Sequence, residues 1–599
     1  MSTPPRWDMS NVYPSLESKE LQAAVQDYKA QVSSLGRFFD TRLSKASPRT
    51  PVAKLAVLTG EAIDRVNRIQ ILSGTIVPYI YAFVTTDSHD KVAKRSLSEF
   101  EQASLPMDKL MVRLRSWLGK LGPKLAQVAR KNKTAQAHAF MLKEAAQLSR
   151  FQMADEQEGL ASELSLSGGN AWEKLQGTVT SQLTVDFELD GKMQKMPMPA
   201  LINLRSHPDE NTRRRGYEAE NAAWESVKET LAACLNGVKG EASTLNKRRG
   251  RKDAVHSSLD AARIDRKTLE AMLEAMRGSF PMFHRYFKAK AHKIGKDKLA
   301  WWDIFAPLGK LDKVYSFEEA RDFVLGNFGK FSPDLQAYAK RAFDNRWIDA
   351  EQREGKRGGA FCMGVAAVKE SRVLCNFDGS FDQVSTIAHE LGHGFHNQCA
   401  FSAGKTELQQ RTPMTLAETA STMCETIVTE AVLGTTKDPQ QELAVLEAQI
   451  QAAGQVVVDI YSRYLFEKEV FERRNQAELS ADDFCEIMER AQKAAYGEGL
   501  DERYLQKFMW TWKPHYYSPG LSFYNFPYAF GLLFATGLYA IYKQRGPAFV
   551  EDYKKLLAST GEASAASLAK RFGIDIRTGK FWDDSLAIIG RRIDRFCEI

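Results

Sequence analysis

Apolar residues recur at helical spacing through nearly the whole chain, and no other feature narrows its possible folds so far. Leu21, Val25, Tyr28, Val32 and Leu35 mark one face of an amphipathic helix. Comparable patterns fill the first 160 residues, punctuated by Pro48, Pro51, Pro106 and Pro123. This patterning predicts a mainly α fold. At roughly 100–200 residues per domain, 599 residues are too many for one small core.

Two breaks interrupt the helical period. Around Ser165-Leu166-Ser167-Gly168-Gly169-Asn170 it stops, and a strand-like alternation at Val185, Phe187 and Leu189 ends in Asp190-Gly191, a strong hairpin signal. Met196-Pro197-Met198-Pro199 leads back into helices. The expected division is an N-terminal helical domain over 1–195 and a second domain over 196–599. The second break runs from Gly355 to Phe381, where Arg357-Gly358-Gly359-Ala360 precedes two short apolar runs, 361–368 and 372–377, that read as strands. Its glycines are not a phosphate loop, because no Gly-Lys-Ser/Thr follows at the required spacing.

Composition and charge mainly exclude. With 44% hydrophobic and 26% charged residues the chain is neither disordered nor collagen-like. Lys+Arg of 82 against Asp+Glu of 75 leaves +7 with both signs interspersed, so no nucleic-acid partner is expected. The basic runs Lys247-Arg248-Arg249-Gly250-Arg251-Lys252 and Arg213-Arg214-Arg215 read as solvated surface. Seven scattered cysteines without a CxxC pair suit a reducing compartment, and the first residues lack a signal peptide's apolar core, so the cytoplasm is the expected location. Residues 518–542 carry no charge and have about the length of a membrane span. Pro519, Gly520, Ser522, Asn525 and Pro527 break their first half, and Pro527 reads as the start of a helix. A buried helix is expected there, and no membrane.

The chemistry concentrates in Thr386-Ile387-Ala388-His389-Glu390-Leu391-Gly392-His393, which contains HExxH. Four residues on a helix turn through about 400°, so His389 and His393 project from one face about 6 Å apart along the axis. Two imidazoles there can share one metal ion at about 2.0–2.1 Å. Glu390 lies about 100° around, able to reach a water at the metal without ligating. Such a site needs a third protein ligand. The HExxHxxGxxH pattern fails, since Cys399 stands at the third-histidine position and His396 at the glycine position. A ligand twenty residues past His393 would be Pro413, which cannot coordinate. Twenty-five residues past His393 is Glu418, in a segment where Thr412-Pro413 reads as a helix start. Glu425 follows on the same face, able to accept a hydrogen bond from a ligand histidine. By itself Glu418 reads as an ordinary helix-surface glutamate.

HELGHGFH (His389–His396) together with Glu418 at that spacing resembles the M3 family of zinc oligopeptidases, and most closely its oligoendopeptidase F branch. Arg6-Trp7-Asp8-Met9-Ser10-Asn11-Val12-Tyr13-Pro14 is similar to that branch's Trp-Asp-Leu opening. Lys356-Arg357-Gly358-Gly359-Ala360-Phe361-Cys362 and Leu374-Cys375-Asn376-Phe377-Asp378-Gly379 are similar to the stretch before its metal helix. His515 and Phe523-Tyr524-Asn525-Phe526-Pro527-Tyr528 resemble its substrate-positioning histidine and tyrosines. The resemblance implies an elongated, two-lobed zincin-type helical fold with a small β-sheet beside the metal helix and a deep substrate channel. It also implies cleavage of short peptides rather than folded proteins.

On this reading His389, His393 and Glu418 hold one Zn²⁺ per chain and Glu390 takes a proton from the attacking water. Glu425 supports a ligand histidine. His515, Tyr524 and Tyr528 are the candidate donors to the substrate oxyanion, with Tyr516 and Tyr517 as substitutes if the register shifts. The strand at 372–377 reads either as an edge strand pairing with substrate or as an internal one. A zinc-dependent endopeptidase of short oligopeptides is the expected function. The alternatives are a zinc carboxypeptidase-type hydrolase and a catalytically inactive peptide-binding scaffold.

Overall fold

The structure, a computed structural model, describes residues 3–310 and 313–599. It is 70% helical, as the periodicity predicts, with two small sheets. The strands are β1 (Thr184–Leu189), β2 (Lys192–Pro197), β3 (Ile348–Asp349), β4 (Phe361–Val365) and β5 (Glu370–Leu374). The helices that carry the argument are α1 (Val52–Thr86), α2 (Glu210–Arg248), α3 (Phe381–Ser402), α4 (Ser421–Leu433) and α5 (Phe526–Arg545). The chain forms two compact units, each from three separated stretches: 3–151, 313–432 and 541–573 in the first, and 152–310, 433–540 and 574–599 in the second. The break near residue 195 falls inside the second unit, in β2. It marks where the local period changes, and a hairpin changes period without ending a unit.

In the first unit the Ser18 hydroxyl caps helix Lys19–Phe38 by accepting from the Leu21 N–H at 3.2 Å. The predicted stripe is buried at Leu21, Tyr28, Val32 and Leu35 and half-buried at Val25. It packs on α1, whose Leu55, Ile63, Val66, Ile69 and Ile76 are buried in the same core. The strand order β3-β5-β4 places β5 in the centre, parallel to β3 and antiparallel to β4. The run at 372–377 is therefore an internal strand, starting at Glu370 and ending at Leu374, and the edge-strand reading is corrected. Val373 and Leu374 are fully buried, which suits a central position. The run at 361–368 stops at Val365, because the next residues form the turn to β5 with Lys369 at φ 53. The Trp-Asp opening is fastened to this sheet: Asp8 N–H donates to the Arg346 carbonyl at 2.8 Å, and Arg372 donates to the Asp8 carbonyl at 3.0 Å. Helix α3 lies across the sheet on Val384, Ile387, Ala388 and Leu391, none of them exposed.

The second unit is organised on α2, 39 residues long and capped by Asp209, which accepts from the Thr212 N–H at 2.7 Å. Ion pairs are buried along it: Arg205–Glu220 at 2.8 Å, Arg213–Asp303 at 2.9 Å and Lys239–Glu467 at 2.6 Å. Of the basic runs, Arg213 is buried on Asp303, while Arg249 pairs with the partly exposed Glu158 and Arg251 with Asp260. β1 and β2 form the expected hairpin, its two-residue turn held by Asp190 and Gly191 at φ 53 and 75. The uncharged stretch becomes α5, with Phe530, Leu533, Phe534 and Leu538 fully buried. Gly537 lets the Phe581 ring approach, since a Cβ there would meet it at 2.5 Å. α1 and the helical stretch Pro439–Arg474 are also long and apolar enough to cross a membrane, and each gives its unit buried core residues.

Candidate active site

Ser380 starts α3 by accepting from the Gln383 N–H at 3.3 Å. The helix buries Ile387, Leu391 and Phe395, which turns His389 and His393 to the opposite face with ring centres 5.0 Å apart and planes at 79°. Glu418 Oε2 stands 3.3 Å from Nε2 of both histidines. Two donors at about 2.0–2.1 Å from one ion, at a tetrahedral angle, are themselves about 3.3–3.4 Å apart. The donor set therefore fits a tetrahedral metal such as zinc, with one corner open. Among the described residues it is the one cluster of three such side chains with ligand atoms within 4.8 Å. Cys375, Cys399 and Cys424 are buried free thiols outside it.

Glu418 is not on a helix face. It lies in the turn that joins the short helix Met414–Ala417 to α4, and Glu425 lies on α4 itself. Gly392 explains the geometry: a Cβ there would sit 2.6 Å from the Ala420 carbonyl oxygen and the Ser421 Cα. Only a glycine lets that backbone settle onto α3 and carry Glu418 to the histidines. Ser421, which the sequence reading passed over, donates to Glu418 Oε2 at 2.6 Å and fixes the carboxylate. Its sequence signal is weak, a serine three residues after an acid. His396 is buried, with Nε2 2.8 Å from the Thr560 hydroxyl and 3.1 Å from the Leu557 carbonyl, and it also bonds the Ala417 backbone beside Glu418. Burial, then the neighbouring His393, pushes it down to about 4, so it is neutral in ordinary buffers. A methyl at residue 392 must push the turn away. Gly392→Ala is expected to weaken metal binding and to cost about 1–3 kcal/mol of stability. Metal titration and thermal unfolding check this, and unchanged affinity would refute the role given to Gly392.

His389 Nδ1 lies 3.2 Å from Glu425 Oε2. With the proton on that nitrogen, Nε2 keeps its lone pair toward the cluster. Burial alone would lower His389, but its hydrogen bonds to Glu418 and Glu425 raise it to about 10. Burial would raise Glu418, but the same histidines and Ser421 hold it far below the usual carboxylate range. Without a metal the cluster thus traps a proton, which a metal ion must displace.

Glu390 is 6% exposed, and its Oε2 has no hydrogen-bond partner. Burial pushes its carboxyl up, against the pull of His393 and His389. A buried carboxylate oxygen left bare beside two imidazoles is poised to accept a proton rather than to hold structure. The cluster opens on a cavity of about 620 Å³, walled by the β4 end (Phe361, Cys362) and by Gln410, Arg411 and Thr412.

In the second unit Tyr524 and Tyr528 share a hydroxyl–hydroxyl hydrogen bond of 2.8 Å, and the His515 ring lies 5.4 Å from that of Tyr524. Tyr528 is exposed and Tyr524 half-buried. The buried Phe523 has a positive φ of 52, a strained setting for an aromatic residue, held by its N–H bond to Glu467 at 2.8 Å. That turn aims the adjacent Tyr524. His515 is pushed down to about 3 by burial, then by Arg463, Lys513 and Lys239, and stays neutral. Tyr516 and Tyr517 are fully buried, so neither offers a hydroxyl to a ligand.

Residues 203–588, well over half of the chain, match peptidase family M3. The chain belongs to this family. Its M3 relatives include the group B oligopeptidase PepB of Streptococcus agalactiae, 24% identical over 65% of this chain and 65% of the relative, and an oligoendopeptidase F homolog of Lactococcus lactis, 26% identical over 65% and 64%. The match thus spans just under two thirds of the length of these relatives. The fold extends further. A chain of known structure from Chlamydophila abortus superposes with a TM-score of 0.85 at 18% identity over 100% of both chains. Oligoendopeptidase F from Enterococcus faecium superposes with 0.70 at 18% identity over 97% of this chain and 98% of the other.

Proposed function

We propose that the chain is a zinc-dependent endopeptidase of short oligopeptides. The observation that carries this is Glu418 Oε2 equidistant, at 3.3 Å, from both imidazoles, with the bare Oε2 of Glu390 on the histidines' own helix. His389, His393 and Glu418 would hold the ion. When bound, zinc supplies a Lewis acid that polarises a carbonyl and makes water acidic near neutral pH. Glu390 accepts the proton of the attacking water and delivers it to the leaving amine. Glu425 holds His389 in the tautomer that leaves Nε2 for the metal, and Ser421 and His396 hold the Glu418 turn. The proposed role of neutral His515, Tyr524 and Tyr528 is hydrogen-bond donation to the peptide. β4, an edge strand whose end borders the cavity, is the strand we assign to backbone pairing with it. The free state of all seven cysteines supports a cytoplasmic setting.

Metal analysis of the purified protein beside cleavage of a mixed peptide pool tests this. About one zinc per chain is expected, with internal cuts in peptides of roughly five to twenty residues and none in a folded protein. Internal cuts in amidated peptides mark an endopeptidase. Rapid digestion of a native globular protein would contradict the proposal.

A further inference from the structure

The cavity beside the metal cluster has one wall that the proposed reaction does not use. Arg411 is exposed and is the one lysine or arginine lining the cavity among the described residues. Its backbone is not a loose loop. Thr406 Oγ1 bonds buried His138 Nε2 at 2.8 Å, and the Leu408 N–H donates to Asn67 Oδ1 at 3.1 Å. Gln409 donates to the Ala137 carbonyl at 3.0 Å and to Glu562 at 2.8 Å, while the hydroxyls of Thr412 and Thr560 pair at 2.7 Å. Gly561 closes the fastening, since a Cβ there would meet the Gln409 carbonyl oxygen at 2.0 Å. A rigid segment thus places Arg411 in the lining of the cavity.

Charge narrows what that side chain can meet. Zinc's charge acts at the cluster itself, while the buried Glu390 disfavours an anion beside it, so a peptide carboxylate held in the cavity away from the ion is favoured beside a second cation. The acid on the same segment, Glu407, is half-buried, and burial pushes its carboxyl up against the pull of Arg411. A guanidinium can grip a substrate carboxylate through two parallel hydrogen bonds. Distance sets the register. A cavity of 620 Å³ is about 10–11 Å across if spherical, and extended peptide advances about 3.3–3.4 Å per residue. We propose that Arg411 is a specificity-determining residue that binds a substrate carboxylate, a free C-terminus or an acidic side chain, within about three residues of the bond that is cut. This rests on the peptidase reading.

Binding to the zinc-loaded Glu390→Gln protein tests it without turnover. Three peptides of one sequence serve as probes: a free acid with no acidic side chain, its C-terminal amide, and that amide carrying a glutamate. Calorimetric titration is expected to show at least one carboxylate-bearing probe binding about tenfold or more tighter than the neutral amide. Which probe gains identifies the source of the carboxylate. Adding Arg411→Ala should bring that ratio to near one, and Arg411→Lys should restore part of it by charge without the two-pronged grip. Thermal unfolding of both variants checks that the fold is kept. A ratio near one in the parent, or a ratio that Arg411→Ala leaves intact, overturns the proposal. If no peptide is ever cleaved by the unmutated enzyme while the ratio and its loss are observed, the peptidase reading fails and carboxylate binding by Arg411 stands.

Discussion

Glu390→Gln is expected to hold zinc as the unmutated protein does and to cleave peptides at least about 10²–10⁴-fold more slowly. The two halves of that result have separate physical causes. His389, His393 and Glu418 supply the donor atoms, and Glu390 is not among them, so metal content should stay near one per chain. The amide keeps the size of the side chain but cannot accept the water's proton, so the general-base contribution vanishes. Stability gives a third readout. Burial raises the Glu390 carboxyl above its unfolded value. In the metal-free protein the native state therefore binds the proton more tightly than the unfolded one, and stability falls as pH rises through that raised range. Glutamine removes this cost, so metal-free Glu390→Gln should unfold at an equal or slightly higher temperature at neutral pH. Kinetics, metal analysis and a thermal scan on one preparation check all three. Near-normal turnover in Glu390→Gln would mean that the HExxH helix does not work as proposed.

The sequence was most legible where function sits on a single helix. A period of 3.6 places His389 and His393 together with no knowledge of the rest of the fold, and the structure has them so. The Asp190-Gly191 hairpin was equally local, because two residues at positive φ leave a chain few alternatives. Legibility failed where a tertiary approach decides the geometry. Glu418 has the spacing expected of it, yet it reaches the histidines from a turn. What brings it there is contact between Gly392 and the Ala420–Ser421 backbone, which no periodicity records. The strand at 370–374 was visible as an apolar run, but an apolar run does not say which neighbours it has. Only the register of Phe361 on Leu374 and of Ile348 on Val373 makes β5 central and leaves β4 at the edge. Tyr516 and Tyr517 show the same limit. Beside His515 they look as available as Tyr524 in sequence, and packing buries both.

Removing the third ligand is the companion experiment, and it should strike the metal itself. Glu418→Ala leaves two imidazoles 5.0 Å apart by ring centre with nothing at the point 3.3 Å from both. It also leaves the Ser421 hydroxyl with only the residue 418 backbone carbonyl, at 3.2 Å, to donate to. A two-histidine site lacks the third donor of a catalytic zinc centre. Zinc content and activity should therefore collapse together. Glu425→Gln should behave differently. Its amide oxygen can still accept from His389 Nδ1, but the charge that strengthens the bond is gone, so affinity should fall by about 10–100-fold while the cluster stays intact. Stability follows occupancy. Zinc at about 100 times its dissociation constant stabilises by about 2.7 kcal/mol, so the unmutated protein should melt higher when zinc is added. Glu425→Gln should need more zinc for the same shift, and Glu418→Ala should show almost none. Zinc titration of metal-stripped proteins, followed by both metal content and melting temperature, separates the three. Full metal occupancy in Glu418→Ala would remove Glu418 from the ligand set, and with it the geometric argument for the site.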